Sequence, residues 1–172
     1  MKWLFLLRPE LKPTRERIIK LENIREKYGI PHNAFALGLL SYPSTAKLLQ
    51  ASLYKQVKTL NPDMSEKNIL KSVFYNRAIK PKPLGYGMTI EEFNGLMDKI
   101  NSLEELCDYV GMRERKSLTY PKWKSLFMII APNLRKIEKD KVKEKINDVM
   151  EEEFQKVILE IRKNERGKTT GK

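Results

Sequence analysis

Hydrophobic side chains recur at helical spacing along most of this chain. Apolar residues three or four positions apart mark one face of a helix, whereas strands alternate at every second position. Residues 14–28 carry one such face, with Thr14 as a predicted N-cap and Gly29 as the predicted end. Further helices are predicted over 44–60, with Ser44 as N-cap, and from Ser65 onward. The pattern therefore predicts an all-α fold, a multi-helix bundle.

A segment rich in proline and glycine divides the predicted helices into two groups. Residues 81–88 contain two prolines and two glycines, which interrupt helical hydrogen bonding. We therefore predict a basic helical unit over residues 1–80 and a second helical unit over residues 89–164. Residues 165–172 are rich in polar residues and glycine, and we predict that they form a disordered tail.

Two capping-box patterns mark the start of the second unit, Thr89 with Glu92 and Ser102 with Glu105. In this motif the hydroxyl and the carboxylate each satisfy a backbone N–H group at the start of the helix. Short helices are therefore predicted over 90–100 and 103–110. Two more are predicted over 121–130 and, as one long C-terminal helix, over 132–164.

The number of cysteines and the apolar run near the N-terminus limit which structural elements and cellular compartments the sequence is compatible with. Cys107 is the single cysteine, so an intramolecular disulfide and a cysteine-based zinc site are excluded. Residues 3–7 form an apolar run that is too short for a signal peptide or a membrane span, and it could form a strand or begin a helix. We expect a cytoplasmic protein without membrane contact, cofactor or metal.

Positive charge dominates the composition. The chain has 34 Lys and Arg against 22 Asp and Glu, which gives a net charge of +12. Residues 1–88 carry 16 basic and 6 acidic side chains, whereas residues 89–172 carry 18 and 16. Such an excess favours polyanionic partners. Lysine-rich chains from thermophilic or A/T-rich genomes show a similar excess without a charged partner, so charge alone does not identify one.

Residues 101–127 have the general order of a helix-turn-helix motif. Cys107 is suitably small, Gly111 would mark the turn, and a second helix would present basic side chains to DNA. Pro121 interrupts this second helix, and Ser117 stands where an apolar residue is expected. An ordinary helical hairpin that ends in glycine gives the same pattern, and both interpretations stay open.

Aromatic residues are interleaved with basic ones near Tyr86 and Trp123. Lysines neutralise phosphates while exposed rings stack on unpaired bases. In the alternative, the two rings pack onto neighbouring helices and the lysines stay solvated. The predicted nucleic-acid contacts are Lys47, Lys55, Lys58, Lys67, Lys71, Arg77, Lys80, Lys82, Tyr86, Arg113, Arg115, Lys116, Lys122, Trp123 and Lys124.

Residues for catalysis are scarce. His32 is the only histidine, and the P-loop and paired-histidine metal motifs are absent. Six residues separate Arg25 from His32, a spacing similar to that of the all-helical HEPN ribonucleases. In such a site the histidine would act in acid–base chemistry and the arginine would stabilise phosphate charge. Gly29 and Pro31 lie between them, and this spacing alone does not assign the chain to that family.

The leading hypothesis is therefore non-catalytic binding of DNA or RNA, within a nucleoprotein or mobile-element system. A second hypothesis is a protein–protein adaptor or homodimer that uses the apolar stripe of the long C-terminal helix. A HEPN-like ribonuclease is the third. The stripe consists of Leu134, Ile137, Val142, Ile146, Val149, Met150, Phe154, Val157, Ile158 and Ile161.

Overall fold

Helices make up the regular structure of the part of the chain that the computed structural model describes, which is residues 14–32, 35, 38–39, 42–82, 84–116 and 131–169. These residues contain no strand. The all-α prediction, with a long C-terminal helix, is confirmed. In chain order the helices are α1 (Arg15–Lys27), α2 (Pro43–Leu60), α3 (Glu66–Ile79), α4 (Ile90–Lys99), α5 (Leu103–Lys116) and α6 (Lys136–Thr169).

Four of the predicted N-caps are confirmed. The hydroxyls of Thr14, Ser65, Thr89 and Ser102 each accept a hydrogen bond from the backbone N–H three residues further on, over 3.1–3.3 Å. The predicted capping box at Ser102 is only half formed, because the Glu105 carboxylate accepts from the backbone N–H of Asn101. At Thr89 the Glu92 carboxylate also accepts from the backbone N–H of the cap residue, which completes the capping box. These local bonds satisfy backbone groups that the helix itself leaves unpaired.

Helix α2 runs parallel to α6. The Tyr42 hydroxyl donates to the backbone carbonyl of Lys143 over 3.0 Å, and the Ser44 hydroxyl donates to the Asn147 side chain over 2.6 Å. The prediction that Ser44 is the N-cap is wrong, because Tyr42 occupies that position and Pro43 is the first helical residue. Ser44 is instead a buried contact between two helices.

A single hydrophobic core includes side chains from all six helices. Helix α2 has its main contacts with α5 and α6, and it also packs against α3. The core therefore contains residues from both sides of segment 81–88, and the division into two units stays a prediction. The largest side chains that are almost fully buried include Tyr54, Phe74, Leu48, Ile69, Leu70, Met97, Leu103 and Leu106.

Helix α5 continues through Gly111 to Lys116. The predicted turn at Gly111 is therefore wrong, as is the predicted end of this helix at residue 110. A Cβ atom at Gly111 would lie 2.9 Å from Cδ of Lys47, so glycine allows the Lys47 side chain to cross the helix closely. The second helix of the proposed helix-turn-helix and the predicted helix over 121–130 lie outside the described residues.

Helix α6 begins at Lys136 and extends to Thr169, so residues 165–169 are helical although the sequence pattern predicts a disordered tail. The Glu165 carboxylate explains part of this extension. It accepts hydrogen bonds from the Tyr54 hydroxyl over 3.1 Å and from the Arg162 guanidinium over 2.5 Å. Tertiary contacts thus hold a stretch whose composition alone favours disorder.

The apolar stripe of α6 packs mostly inside this chain, against α1 and α2. Ile137 is an exception, with 69% of its surface exposed, and Leu159 beside the stripe is 65% exposed. No helix in the described ranges is long and apolar enough to cross a membrane. The apolar run at residues 3–7 lies outside those ranges. The stripe residues that are buried are Val142, Ile146, Val149, Met150, Phe154, Ile158 and Ile161.

Candidate nucleic-acid interface

Several basic residues predicted to face nucleic acid are engaged within the fold. The Lys47 ammonium lies 2.9 Å from the Glu151 carboxylate and 4.5 Å from the centre of the Phe154 ring. The Lys67 ammonium donates to the backbone carbonyl of Ile100 over 2.7 Å, just beyond the C-terminal end of α4. Both lysines therefore join neighbouring helices.

The other basic residues of α2 and α3 are only partly exposed. Lys55 pairs with Glu160 across the α2–α6 interface over 2.6 Å. The Lys58 ammonium is 3.4 Å from the backbone carbonyl of Met64, a long hydrogen bond. Lys71 is half-buried on α3. These contacts reduce the positive charge that α2 presents to solvent.

The C-terminal ends of α3 and α5 meet at a buried carboxylate. Glu114 is only 3% exposed and pairs with the Arg77 guanidinium. The Tyr86 hydroxyl donates to the same carboxylate oxygen over 2.9 Å and accepts a hydrogen bond from Nε of Arg77 over 3.3 Å. Burial raises the pKa of Tyr86, so its hydroxyl stays protonated and able to donate. We refer to Arg77, Tyr86 and Glu114 as the Glu114 cluster.

The Tyr86 ring packs within the protein. It is 8% exposed, and its centre lies 6.0 Å from that of Phe74. The guanidinium carbons of Arg113 and Arg77 lie 5.1 and 5.5 Å from the ring centre, within the range of cation–π contacts. The Tyr86 ring therefore packs within the protein and contacts two arginines. This agrees with the alternative interpretation of the sequence, in which the ring packs onto neighbouring helices and does not stack on bases.

Backbone hydrogen bonds fold the segment after α3 back onto the end of that helix. The Tyr86 N–H donates to the carbonyl of Arg77 over 2.8 Å, and the Gly87 N–H donates to that of Lys80 over 2.9 Å. Gly87 has a φ of 63°, a left-handed conformation that glycine adopts without steric cost. Lys80 and Lys82 are therefore exposed on a backbone whose position is fixed.

Five basic residues lie on the two segments that the Glu114 cluster joins, two of them on the loop and three in the last turn of α5. Four of them are exposed, and Arg113 is half-exposed above Tyr86. Because the Glu114 carboxylate is buried and paired with Arg77, it does not offset the charge of these five residues at the surface. We call this surface the loop–helix patch. It consists of Lys80, Lys82, Arg113, Arg115 and Lys116.

A second basic surface lies between α2 and α6. Its lysines on α2, Lys55 and Lys58, were predicted as contact residues, whereas Lys163 and Lys168 on α6 were missed. The predicted disordered tail over residues 165–172 explains the omission of Lys168, whereas Lys163 lies within the predicted helix. The sequence pattern that could have indicated this surface is the spacing of residues 163, 164, 167 and 168, which places all four on one face if the helix continues.

Arg25 and His32 meet at one carboxylate. Arg25 pairs with Glu22 and donates to the backbone carbonyl of Ile30 over 3.1 Å, while Nε2 of His32 lies 3.7 Å from Oε1 of Glu22. Arg25 is thus bound to the turn that follows α1. The described ranges contain no group of three His, Cys, Asp or Glu that could hold a metal. The predicted contacts Lys122, Trp123 and Lys124 lie outside those ranges.

Comparisons with known proteins find no relative. No family model, no curated protein and no solved structure matches this chain.

Proposed function

We propose that this protein binds nucleic acid without catalysis, through contacts between the loop–helix patch and the phosphate backbone. One observation carries the proposal. Five basic side chains lie on a loop and a helix end that the bonds of Arg77 and Tyr86 to the buried Glu114 carboxylate hold together. Because these segments are joined before binding, less conformational entropy is lost when their side chains contact a polyanion.

Phosphate contacts suit this surface better than base contacts. The aromatic ring at its centre, Tyr86, is buried and so does not offer a face for base stacking. Lysine and arginine bind phosphates of any sequence, because these contacts give affinity without reading base edges. We therefore propose sequence-independent binding, as in a cytoplasmic nucleoprotein assembly or a mobile-element system.

The proposal predicts a steep salt dependence. Each neutralised phosphate contributes about −0.9 to the slope of log K against log salt for duplex DNA and about −0.7 for single strands. If all five patch residues contact phosphates, we expect a slope of about −3.5 to −4.5.

Fluorescence anisotropy tests this proposal on the intact protein. Labelled single-stranded and double-stranded DNA and RNA of equal length are titrated at about 50 and 200 mM salt. We expect micromolar or tighter binding at the lower concentration and a large loss at the higher one. Absence of binding to all four polymers at the lower salt would overturn the proposal. Light scattering on the same samples tests the alternative in which α6 pairs with a second chain.

A further inference from the structure

A cleft lies between the last turns of α2 and the C-terminal end of α6. Its volume is about 350 Å³, which is within the size range of small-molecule sites. Four lysines line it together with polar and apolar side chains from the same two helices. The lining residues are Lys55, Lys58, Thr59, Ile161, Lys163, Asn164, Glu165, Gly167 and Lys168.

The positive charge of this cleft is only partly compensated. Lys55 pairs with Glu160 over 2.6 Å. Three lysines remain, and they make no ion pair with a carboxylate in the described part of the chain. The single carboxylate in the lining, Glu165, is already bound by Arg162 over 2.5 Å and by the Tyr54 hydroxyl. The three lysines are Lys58, Lys163 and Lys168.

Two of these three lysines lie at the C-terminal ends of helices. Lys58 lies in the last turn of α2 and Lys168 in the last turn of α6. The partial negative charge at a helix C-terminus favours a cation there. Lysine ammonium groups are compact point charges, and they bind phosphate oxygens without requiring one fixed geometry.

Gly167 lies on the α6 side of the cleft and adds no side chain to its lining. Glycine inside a helix costs about 1 kcal/mol relative to alanine, so a helical glycine calls for a reason in packing or function. A Cβ atom at this position would meet no atom within 4 Å, so packing against the rest of the protein does not require glycine. Without a side chain here, an anion can approach the helix between Lys163 and Lys168.

From these features we infer that the cleft binds a small polyphosphate anion, at a site separate from the loop–helix patch. A chain of linked phosphates spreads several negative charges, and the cleft offers several ammonium groups within one cavity. The shared chemistry is that of a triphosphate. Inorganic tripolyphosphate and the phosphate chain of a nucleoside triphosphate are its two sources.

Isothermal titration calorimetry at constant ionic strength tests the inference with tripolyphosphate and, in a second arm, ATP. One variant removes charge, with Lys58→Gln and Lys163→Gln together. A second, Gly167→Leu, fills the cleft and leaves every charge in place. We expect both to weaken tripolyphosphate binding at least tenfold. The matched control removes two exposed lysines of α6, Lys136→Gln with Lys141→Gln, and it should change the affinity less than twofold.

The two arms separate the sources. Tighter binding of ATP than of tripolyphosphate supports a nucleotide site, and tighter binding of tripolyphosphate supports an inorganic ligand. Circular dichroism checks that each variant keeps its helix content and melting temperature. The inference is wrong if the unaltered protein binds neither compound, if the control loses as much affinity as the charge variant, or if Gly167→Leu has no effect.

The same variants also show whether nucleic acid, and not a small anion, binds in the cleft. If an oligonucleotide depends on Lys58 and Lys163 while tripolyphosphate does not bind, the small-anion site is overturned. The loop–helix patch is intact in all these variants. If the cleft does not bind tripolyphosphate, oligonucleotide binding at the patch is still expected. If the patch does not bind oligonucleotides, the calorimetric result with tripolyphosphate is still expected.

Discussion

Basic side chains have different surroundings at α6 and at the loop–helix patch. Around α6, Lys20, Lys47 and Arg162 each pair with a carboxylate of another helix, over 2.6, 2.9 and 3.1 Å. At the patch, the central carboxylate, Glu114, is buried and bound by Arg77. Charge around α6 therefore joins helices, whereas the proposed role of the charge at the patch is to bind an external partner.

This difference shows why a count of basic residues does not locate a binding surface. A lysine opposite a glutamate contributes little to the field outside the protein, because its charge is balanced within a few ångströms. Lys47 was predicted as a contact residue from the outward face of a helix, and Lys80 from a loop in which basic and aromatic residues are interleaved. Lys47 has a carboxylate partner, whereas Lys80 is exposed on the loop. The ion pairs seen in the structure therefore show which of the predicted contact residues have their charge balanced inside the protein.

The largest effect on stability is expected at Arg162. Its guanidinium bonds to Glu66 over 3.1 Å and to Glu104 and Glu165 over 2.5 Å, and so it joins the starts of α3 and α5 to α6. Arg162→Ala leaves three carboxylates without this partner. We expect the free energy of unfolding to fall by about 2–4 kcal/mol, measured by urea denaturation.

Two comparisons check this result. Lys163→Ala, which alters the next and exposed residue, should change the free energy of unfolding by less than about 0.5 kcal/mol. Oligonucleotide affinity of folded Arg162→Ala should match that of the unaltered protein, because its contacts lie outside the patch. Equal destabilisation by the two substitutions would contradict a structural role for the Arg162 pairs.

A smaller effect on the free energy of unfolding is expected at Glu114. A substitution there should also change nucleic-acid affinity, which the substitution of Arg162 at α6 should not. Glu114→Gln weakens the bonds to Arg77 and Tyr86, and we expect it to cost about 1–3 kcal/mol of unfolding free energy. Nucleic-acid affinity should also fall, although the net charge becomes more positive, because the loop loses its attachment to α5.

Asp108→Asn provides the matched control for Glu114→Gln. It makes the same change in net charge, but Asp108 is exposed beside Arg115 and Lys116. Affinity in this variant should stay the same or rise. If Glu114→Gln instead bound nucleic acid more tightly than the unaltered protein, net charge rather than the position of the loop would govern binding.

Two glycines should differ in their response to alanine. Gly87→Ala forces a side chain into a left-handed backbone conformation, with an expected cost of about 1–2 kcal/mol. Gly111→Ala gains helix propensity of about 1 kcal/mol while it displaces the flexible Lys47 side chain, so the net change should stay within about 1 kcal/mol. Thermal denaturation measures both. A larger loss at Gly111 than at Gly87 would indicate a turn at Gly111.

The smallest predicted effect is a change in pH dependence. The hydrogen bond from Arg162 lowers the pKa of Glu104 below its usual value of 4.5. A carboxylate whose pKa is lower in the folded state stabilises the fold above the unfolded-state pKa, and this contribution is lost as pH falls. The stability difference between the unaltered protein and Arg162→Ala should therefore shrink between about pH 5 and pH 3. A constant difference would argue against this ion pair.

Local features of this fold were predictable from sequence. Thr14, Ser65 and Thr89 cap helices because the capping residue and its partner lie within three positions, so the pattern contains the whole interaction. The end of α5 was not predictable in this way. Gly111 after an apolar stretch is typical of a helix end. The close approach of the Lys47 side chain, from a distant helix, explains why a glycine stands at this position inside a helix.

The candidate sites depend on contacts between residues that lie far apart in the sequence. The carboxylate that binds Lys47 lies 104 residues away in sequence, and the one that binds Arg77 lies 37 residues away. Helical spacing identifies an outward face, but it does not show which neighbour covers that face. The predicted surface therefore included Lys47 and Lys67, which hold helices together, and it left out Lys163 and, on the extension of α6, Lys168.

Oligonucleotide affinity of two triple variants with equal charge tests the central claim most directly. Each variant lowers the net charge by three, and fluorescence anisotropy gives its affinity and salt slope. We expect the patch variant to lose at least tenfold in affinity and to have a shallower slope by about 2–3, while the control stays within about twofold. Equal losses in the two variants would contradict the claim, since total charge rather than the loop–helix patch would then explain binding. The patch variant is Lys80→Gln, Arg115→Gln and Lys116→Gln, and the control is Lys99→Gln, Lys136→Gln and Lys141→Gln.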